Sequence, residues 1–221
     1  MKYRHELKHI INTADFLALT SKLGFIAEPD EHMKNGAYFV RSLYFDNYSD
    51  KVMRDKIDGL SVREKFRIRF YDMDDSFIRL EKKSKLHGLC MKQSAVLNRE
   101  QTERIIGGDT DFLAEEKDPL LNEFYAKLTS LCLRPKSIVD YTRQAYVYPY
   151  GNVRITFDYG IRSVNSAEDF FTRESADVPV TNTVIMEVKY DDFLPQIIAD
   201  ITCLEGRQSE SFSKYAAARY I

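Results

Sequence analysis

Val62-Arg63-Glu64-Lys65-Phe66-Arg67-Ile68-Arg69-Phe70-Tyr71 alternates between two chemistries. Successive side chains of an extended strand point to opposite sides, so Arg63, Lys65, Arg67 and Arg69 share one face and Val62, Phe66, Ile68 and Phe70 the other. Neighbouring like charges repel by about 1 kcal/mol per pair at ~4 Å even in water, so a merely solvated face would mix its signs. A row of cations backed by apolar residues calls for a polyanion. The plainer alternative is an edge strand whose charges block aggregation.

Repetition favours the polyanion. In Phe77 to Lys85, one face carries Arg79, Glu81, Lys83 and Lys85 while Ile78 and Leu80 lie on the other. In Val153 to Tyr159, the apolar face is Val153, Ile155, Phe157 and Tyr159, opposed by Arg154, Thr156 and Asp158. Arg4, Glu6 and Lys8 alternate near the start, and Glu187 and Lys189 near the end. Several strands share one design.

The chain of 221 residues is 44% hydrophobic, enough to bury a core, and is expected to form one domain over residues 1–221. Its formal net charge of −2 argues against a general nucleic-acid binder, so no nucleic-acid partner is expected. Segregated cations in a near-neutral protein suit a compact, highly charged ligand in a cleft or tunnel whose low-dielectric walls focus the field. Cys90, Cys132 and Cys203 have no metal-type spacing, and are expected to be reduced, small buried hydrophobes in a cytoplasmic protein. The first residues lack the apolar core of a signal peptide, and no apolar run is long enough to span a bilayer.

Residues 61–72, 76–86 and 89–97 read as consecutive strands joined by turns at Asp72 to Asp75 and at His87-Gly88, and are therefore antiparallel neighbours. Thr13 is the expected cap of a first helix, and Asn98 with Gln101 has the pattern of a capping box for a helix stopped by Gly107-Gly108. A helix from about Pro119, strands at about 136–148, 152–163 and 181–190, and helices near both 193–204 and 213–221 complete the pattern. The polar stretch from Ser166 to Pro179 reads as a mobile loop. The expected class is α+β, with about eight mostly antiparallel strands. Polar faces turned outward would give a sheet packed on helices; turned inward they give a barrel with a charged lumen, which the cation rows favour.

A lumen lined by Lys8, Arg67, Arg69, Lys83, Lys85, Lys92, Arg143, Arg154 and Lys189 could hold several phosphates, because guanidinium forks and ammonium groups both suit phosphate oxygens. Glu6, Glu81 and Glu187 lie on the same faces. They either pair with these cations or hold a hard divalent ion, Mg²⁺ or Mn²⁺, beside the phosphates. Asp158 reads as a structural ion-pair partner. No protein nucleophile and no glycine-rich phosphate loop stands out, but phosphoryl transfer needs neither: positioning and charge neutralisation supply most of the catalysis.

Several segments resemble the successive motifs of the VTC domain, the polyphosphate polymerase domain of the vacuolar transporter chaperone complex and a branch of the triphosphate tunnel metalloenzymes. They are Arg4 to Lys8, Arg67-Ile68-Arg69, Leu80 to Lys85, Lys92, Tyr141-Thr142-Arg143, Arg154 to Asp158, Met186 to Tyr190 and Ser211-Phe212-Ser213-Lys214-Tyr215. Each motif is weak alone; the set is specific, in order, and spans nearly the whole chain. The resemblance implies an antiparallel eight-stranded tunnel barrel with surrounding helices that binds ATP, another nucleoside triphosphate, or polyphosphate. It places Lys8, Arg67, Arg69, Lys83, Lys92, Arg143 and Arg154 on phosphates, Glu187 on the metal, and Lys214 over the phosphate chain. The implied reaction passes the terminal phosphate of ATP to a growing polyphosphate. A triphosphatase and a non-catalytic sensor are the alternatives on the same lumen, and any export of product would need a membrane-protein partner not encoded here.

Overall fold

The computed structural model describes residues 3–164, 166–204, 209 and 212–220; Ser211 of the last motif lies outside them. Ten strands form one antiparallel sheet: β1 (His5–Ile11), β2 (Glu28–Pro29), β3 (Tyr38–Asp46), β4 (Val62–Tyr71), β5 (Asp74–Leu86), β6 (Leu89–Leu97), β7 (Arg134–Tyr148), β8 (Val153–Val164), β9 (Asp177–Thr181) and β10 (Val184–Tyr190). The main path has eight strands in the order β1-β10-β8-β7-β3-β4-β5-β6, with β2 on β7 and β9 on β8. The expectation of a closed barrel is corrected here. The edges β1 and β6 share no ladder, and meet only at an isolated bridge, where the backbone N–H groups of Arg4 and Cys90 donate to each other's carbonyls at 2.9 and 3.0 Å. Arg4 precedes β1, so among the described residues no ladder between β1 and β6 closes the sheet.

Helices α1 (Thr13–Leu23), α2 (Lys51–Ile57), α3 (Arg99–Gly107), α4 (Pro119–Ser130), α5 (Gln196–Thr202) and α6 (Lys214–Arg219) accompany the sheet. Asn98 and Gln101 form the expected capping box on α3, and Gly108 ends that helix in the left-handed region at φ 88°. The first helix is capped by Asn12, whose side chain accepts from the Asp15 N–H, and not by Thr13. Its box is completed by Asp15, which accepts in turn from the Asn12 N–H.

On the outer face of β3 to β6, Phe45, Phe66, Phe70 and Leu80 pack with Leu120, Phe124 and Leu128, the apolar stripe of α4. On the outer face of β1, β8 and β10, Ile155, Phe157, Met186 and Val188 pack with Leu19 and Leu23 of α1 and Ile198 of α5. The apolar half of each alternating strand is thus consumed by helices, which leaves the charged half facing inward. One further helix enters that concave side: Tyr215 and Ala218 of α6 pack with Tyr44, Val139, Tyr141, Ile161 and Ile185.

Simple alternation would send Ile161 outward with Tyr159. Gly160 adopts φ 59°, and the β7–β8 register shifts at this level, so the extra residue returns Ile161 to the face of Thr156 and Asp158, under α6. The polar stretch from Ser166 is also corrected: it forms a short turn of 3₁₀-helix, Ala167–Phe171, with Phe170 fully buried, and then strand β9. Arg41, itself buried, holds it down by donating to the carbonyls of Asp169, Phe170 and Thr172 while pairing with Asp140 at 2.7 Å. The cysteines are free as expected, but Cys132 and Cys203 are exposed and Cys90 is half-buried, so they are not core residues.

Candidate functional site

The inward face is built by phase. Glu6 and Lys8 come from β1, Arg67 and Arg69 from β4, Lys83 from β5, Lys92 from β6, Arg143 from β7, Arg154 from β8, and Glu187 and Lys189 from β10. All of them, with Lys214 of α6, line one cavity of about 320 Å³. Eleven lysines and arginines face it against two glutamates. Phe66, Ile68, Leu80 and Ile155 are buried in the outer cores, as the alternation requires. Lys85 keeps the same phase as Lys83 but lines a neighbouring cavity on the α2 side, together with Lys56 and Arg63. Glu81 lines a further cavity, beside Arg79, Lys92 and Arg154.

Burying carboxylates and ammonium groups is costly unless they are paired, and the lumen is organised around four such carboxylates. Glu187 accepts from Lys189 at 2.5 Å and Lys8 at 3.2 Å. Glu6 accepts from Lys83 at 2.5 Å and Lys8 at 3.1 Å, so the Lys8 ammonium spans two carboxylates. Glu81 is saturated: Arg67 lies at 2.6 Å, Lys92 at 3.0 Å and Arg69 at 3.7 Å. Asp158, fully buried, takes Arg143 at 2.6 Å and Lys214 at 2.5 Å, which is the structural role read from its position. Two lining cations pair outside this set: Arg154 with Asp30 at 2.9 Å and the Tyr38 hydroxyl at 3.0 Å, and Arg4 with Asp191 at 2.9 Å.

These partners set the protonation states. Burial alone would push Glu187 up, but Lys189, Lys8 and Lys83 outweigh it and hold the carboxyl well below its ordinary range. Burial and Glu187 push Glu6 up, and Lys8, Lys83 and Lys189 reverse them. Glu81 is likewise held low, against burial, by Arg67, Arg69 and Lys92. Lys189 is pulled down to about 8 by burial, with Lys83 and Arg143 adding to it and Glu187 opposing. Tyr44, which accepts from Arg67 at 3.1 Å, is pushed up by burial and brought down to about 7 by Arg67, Lys65 and Arg69.

Sequence reasoning overlooked the tyrosines that tie the cations together. Arg69 donates to the Tyr141 hydroxyl at 2.6 Å and to Ser42 at 2.8 Å. Tyr44 stacks on Tyr215 with ring centroids 5.3 Å apart, and Tyr215 donates to Asp46 at 2.7 Å. The alternation of Tyr38, Ser42 and Tyr44 along β3 carried the signal, but a tyrosine reads equally well as core.

The three glutamates considered for metal do not meet. Glu6 and Glu187 flank Lys8, whereas Glu81 is consumed by two arginines and a lysine, and no cluster of three His, Cys, Asp or Glu side chains exists among the described residues. Two ionised carboxylates completed by phosphate oxygens are nevertheless a donor set that Mg²⁺ or Mn²⁺ accepts. The Thr156 hydroxyl, on the residue paired with Glu187 in the sheet, is buried without a hydrogen-bond partner and adds a further oxygen there.

The chain matches the VTC domain family over residues 3–221. Among solved structures, the bh2851 protein from Bacillus halodurans is similar in fold: TM-score 0.53 and 12% identity, with 91% of this chain and 86% of that chain covered. The PH1819 protein from Pyrococcus horikoshii OT3 is similar over 99% of both chains, with TM-score 0.51 and 13% identity. No curated protein matches the sequence. A family match over nearly its whole length, on an antiparallel α+β sheet curled round a basic lumen, makes this chain a member of the VTC domain family, with a triphosphate tunnel fold.

Proposed function

We infer that the protein is a metal-dependent polyphosphate polymerase that transfers the terminal phosphate of ATP to a polyphosphate chain. The observation that carries this reading is the set of eleven cationic side chains on one cavity of about 320 Å³, more than their six carboxylate partners Glu6, Glu81, Glu187, Asp158, Asp30 and Asp191 neutralise, within a VTC domain. Such a cavity is repulsive when empty, and a linear oligophosphate supplies several negative charges in a row. Arg67, Arg69, Lys83, Arg143 and Arg154 bind and align phosphates, and Lys8, Lys85, Lys92, Lys189 and Lys214 extend the lining. A terminal phosphate oxygen of the acceptor attacks the γ-phosphorus of ATP, the bond to the β–γ bridging oxygen breaks, and ADP leaves. The arginines neutralise charge on the transferring group without reorganising.

Glu6 and Glu187 would hold Mg²⁺ or Mn²⁺, with Lys8 yielding its place between them; when bound, the ion neutralises phosphate oxygens. Glu81 is read as a structural partner of Arg67. A second reading is a metal-free polyphosphate or nucleotide sensor, favoured by the Lys8 ammonium that spans Glu6 and Glu187. No described helix is long and apolar enough to cross a membrane, and the reaction proposed is cytoplasmic, with any export assigned to a separate membrane protein.

The test is incubation with ATP and Mn²⁺ followed by sizing of the phosphate products. Long chains are expected. Free phosphate alone would make the protein a triphosphatase, with water as acceptor, and unchanged ATP together with tight tripolyphosphate binding would support the sensor.

A further inference from the structure

Lys65 stands apart from the other lumen cations. Like Lys8 and Lys83, it lines both the central cavity and the cavity on the α2 side, where the two join, but those two lysines have carboxylate partners. Its cross-strand partner on β5 is another lysine, Lys83. Lys8 of β1 and Arg67 of its own strand add positive charge from two further directions. Of the helices, α2 brings Lys56 to this cavity and Asp55 to a further cavity that Lys65 lines, but Asp55 is paired with Lys51 at 2.5 Å; α6 brings Tyr215.

The carboxylates of this wall are already taken: Glu6 by Lys83 and Lys8, and Glu64, which also lines the cavity on the α2 side, by Lys82 at 3.0 Å and Lys127 at 2.5 Å. Among the described residues Lys65 has no carboxylate at ion-pair distance; its ammonium lies 5.3 Å from the centre of the Tyr44 ring. A cation held against its like by the fold, with only an aromatic face for company, is a binding group lacking its ligand.

We propose that Lys65 is a further phosphate-binding residue of the lumen, at the junction of the two cavities, and that its counter-charge comes from the bound oligophosphate. This rests on the reading of the lumen as an oligophosphate site. A consequence concerns protons. Burial pulls the free ammonium down to about 7, helped by Lys83, Lys8 and Arg67 and opposed by Tyr44. An adjacent phosphate favours the charged form and raises it again. Binding at pH 8 therefore draws a proton from solvent onto Lys65, whereas at pH 6 that proton is already in place.

The test is calorimetric titration of tripolyphosphate into the full chain and its Lys65→Met and Lys65→Arg variants, at pH 6 and pH 8, each in two buffers of different ionisation enthalpy. At pH 8 the wild type is expected to take up about one proton more per tripolyphosphate than Lys65→Met, and at pH 6 about the same number. Lys65→Met is expected to bind about ten- to a hundredfold more weakly, the loss of one charge-assisted hydrogen bond. Lys65→Arg keeps its charge at both pH values, so it should bind within a few-fold of wild type and lack the extra uptake. Ligand-free Lys65→Met should unfold at a higher temperature than wild type, because it removes repulsion with Lys83. Equal affinity and equal proton uptake in wild type and Lys65→Met would overturn the role of Lys65 while leaving the lumen reading intact. A wild type that does not bind tripolyphosphate would overturn both.

Discussion

Glu187→Gln is expected to abolish Mn²⁺-dependent consumption of ATP, by a factor on the order of 10² or more, while leaving tripolyphosphate binding in chelator intact or tighter. The substitution keeps the side chain's size and removes its charge. The carboxylate is ionised at neutral pH, held so by Lys189, Lys8 and Lys83 against its burial. If it holds the metal, turnover goes with it. For metal-free binding, however, Glu187 repels phosphate and occupies Lys189 and Lys8, so its loss frees two cations for the ligand. Lys83→Ala moves binding the other way: a phosphate partner disappears, and affinity is expected to fall about ten- to a hundredfold. Rates and metal-free affinities of both variants provide the check. Full activity of Glu187→Gln with Mn²⁺ would remove that residue from the metal site.

Glu81→Ala has the largest expected effect on stability. Glu81 is only 1% exposed and joins Arg67, Arg69 and Lys92. Removing it leaves two arginines and a lysine facing one another, and breaking a buried pair in this way typically costs about 3–5 kcal/mol. Urea unfolding at pH 7 measures the loss, and added tripolyphosphate should recover part of it by taking over as counter-ion. The acid limb gives the sign. Because the folded carboxyl is held well below its ordinary value, its stabilisation is fully present above the unfolded value of about 4.3 and is lost as the pH falls toward the folded value. The gap between wild type and Glu81→Ala should therefore stay flat from pH 6 to 8 and close on acidification. A gap under about 1 kcal/mol at pH 7 would show that Glu81 is not a structural counter-ion.

What the sequence revealed and what it hid divide along the range of the interactions. The alternation in β4 and β5 sorted Arg67, Arg69 and Lys83 from Phe66, Ile68 and Leu80 correctly, because period-two patterning is local and the outer core takes up these apolar residues. The capping box of α3 was legible for the same reason. Asn12 displaced Thr13 as a cap because both residues can play that part and only the backbone chooses between them. The slip at Gly160 was invisible: a bulge breaks the alternation from which it would have to be read. Nothing local marks Arg41 as buried, yet it pairs with Asp140, 99 residues away, and pins the stretch after Ser166. Likewise, three glutamates of equal phase could not be divided into a pair about Lys8 and a lone partner of arginines until the sheet had curled.

The most direct test of the lumen is an experimental structure of the protein with bound tripolyphosphate and no metal. The anion is expected in the central cavity, with its phosphate oxygens within hydrogen-bond distance of Arg67, Arg69, Lys83 and Arg154. Tripolyphosphate on the outer surface, with those four side chains still in contact only with protein groups, would contradict the account.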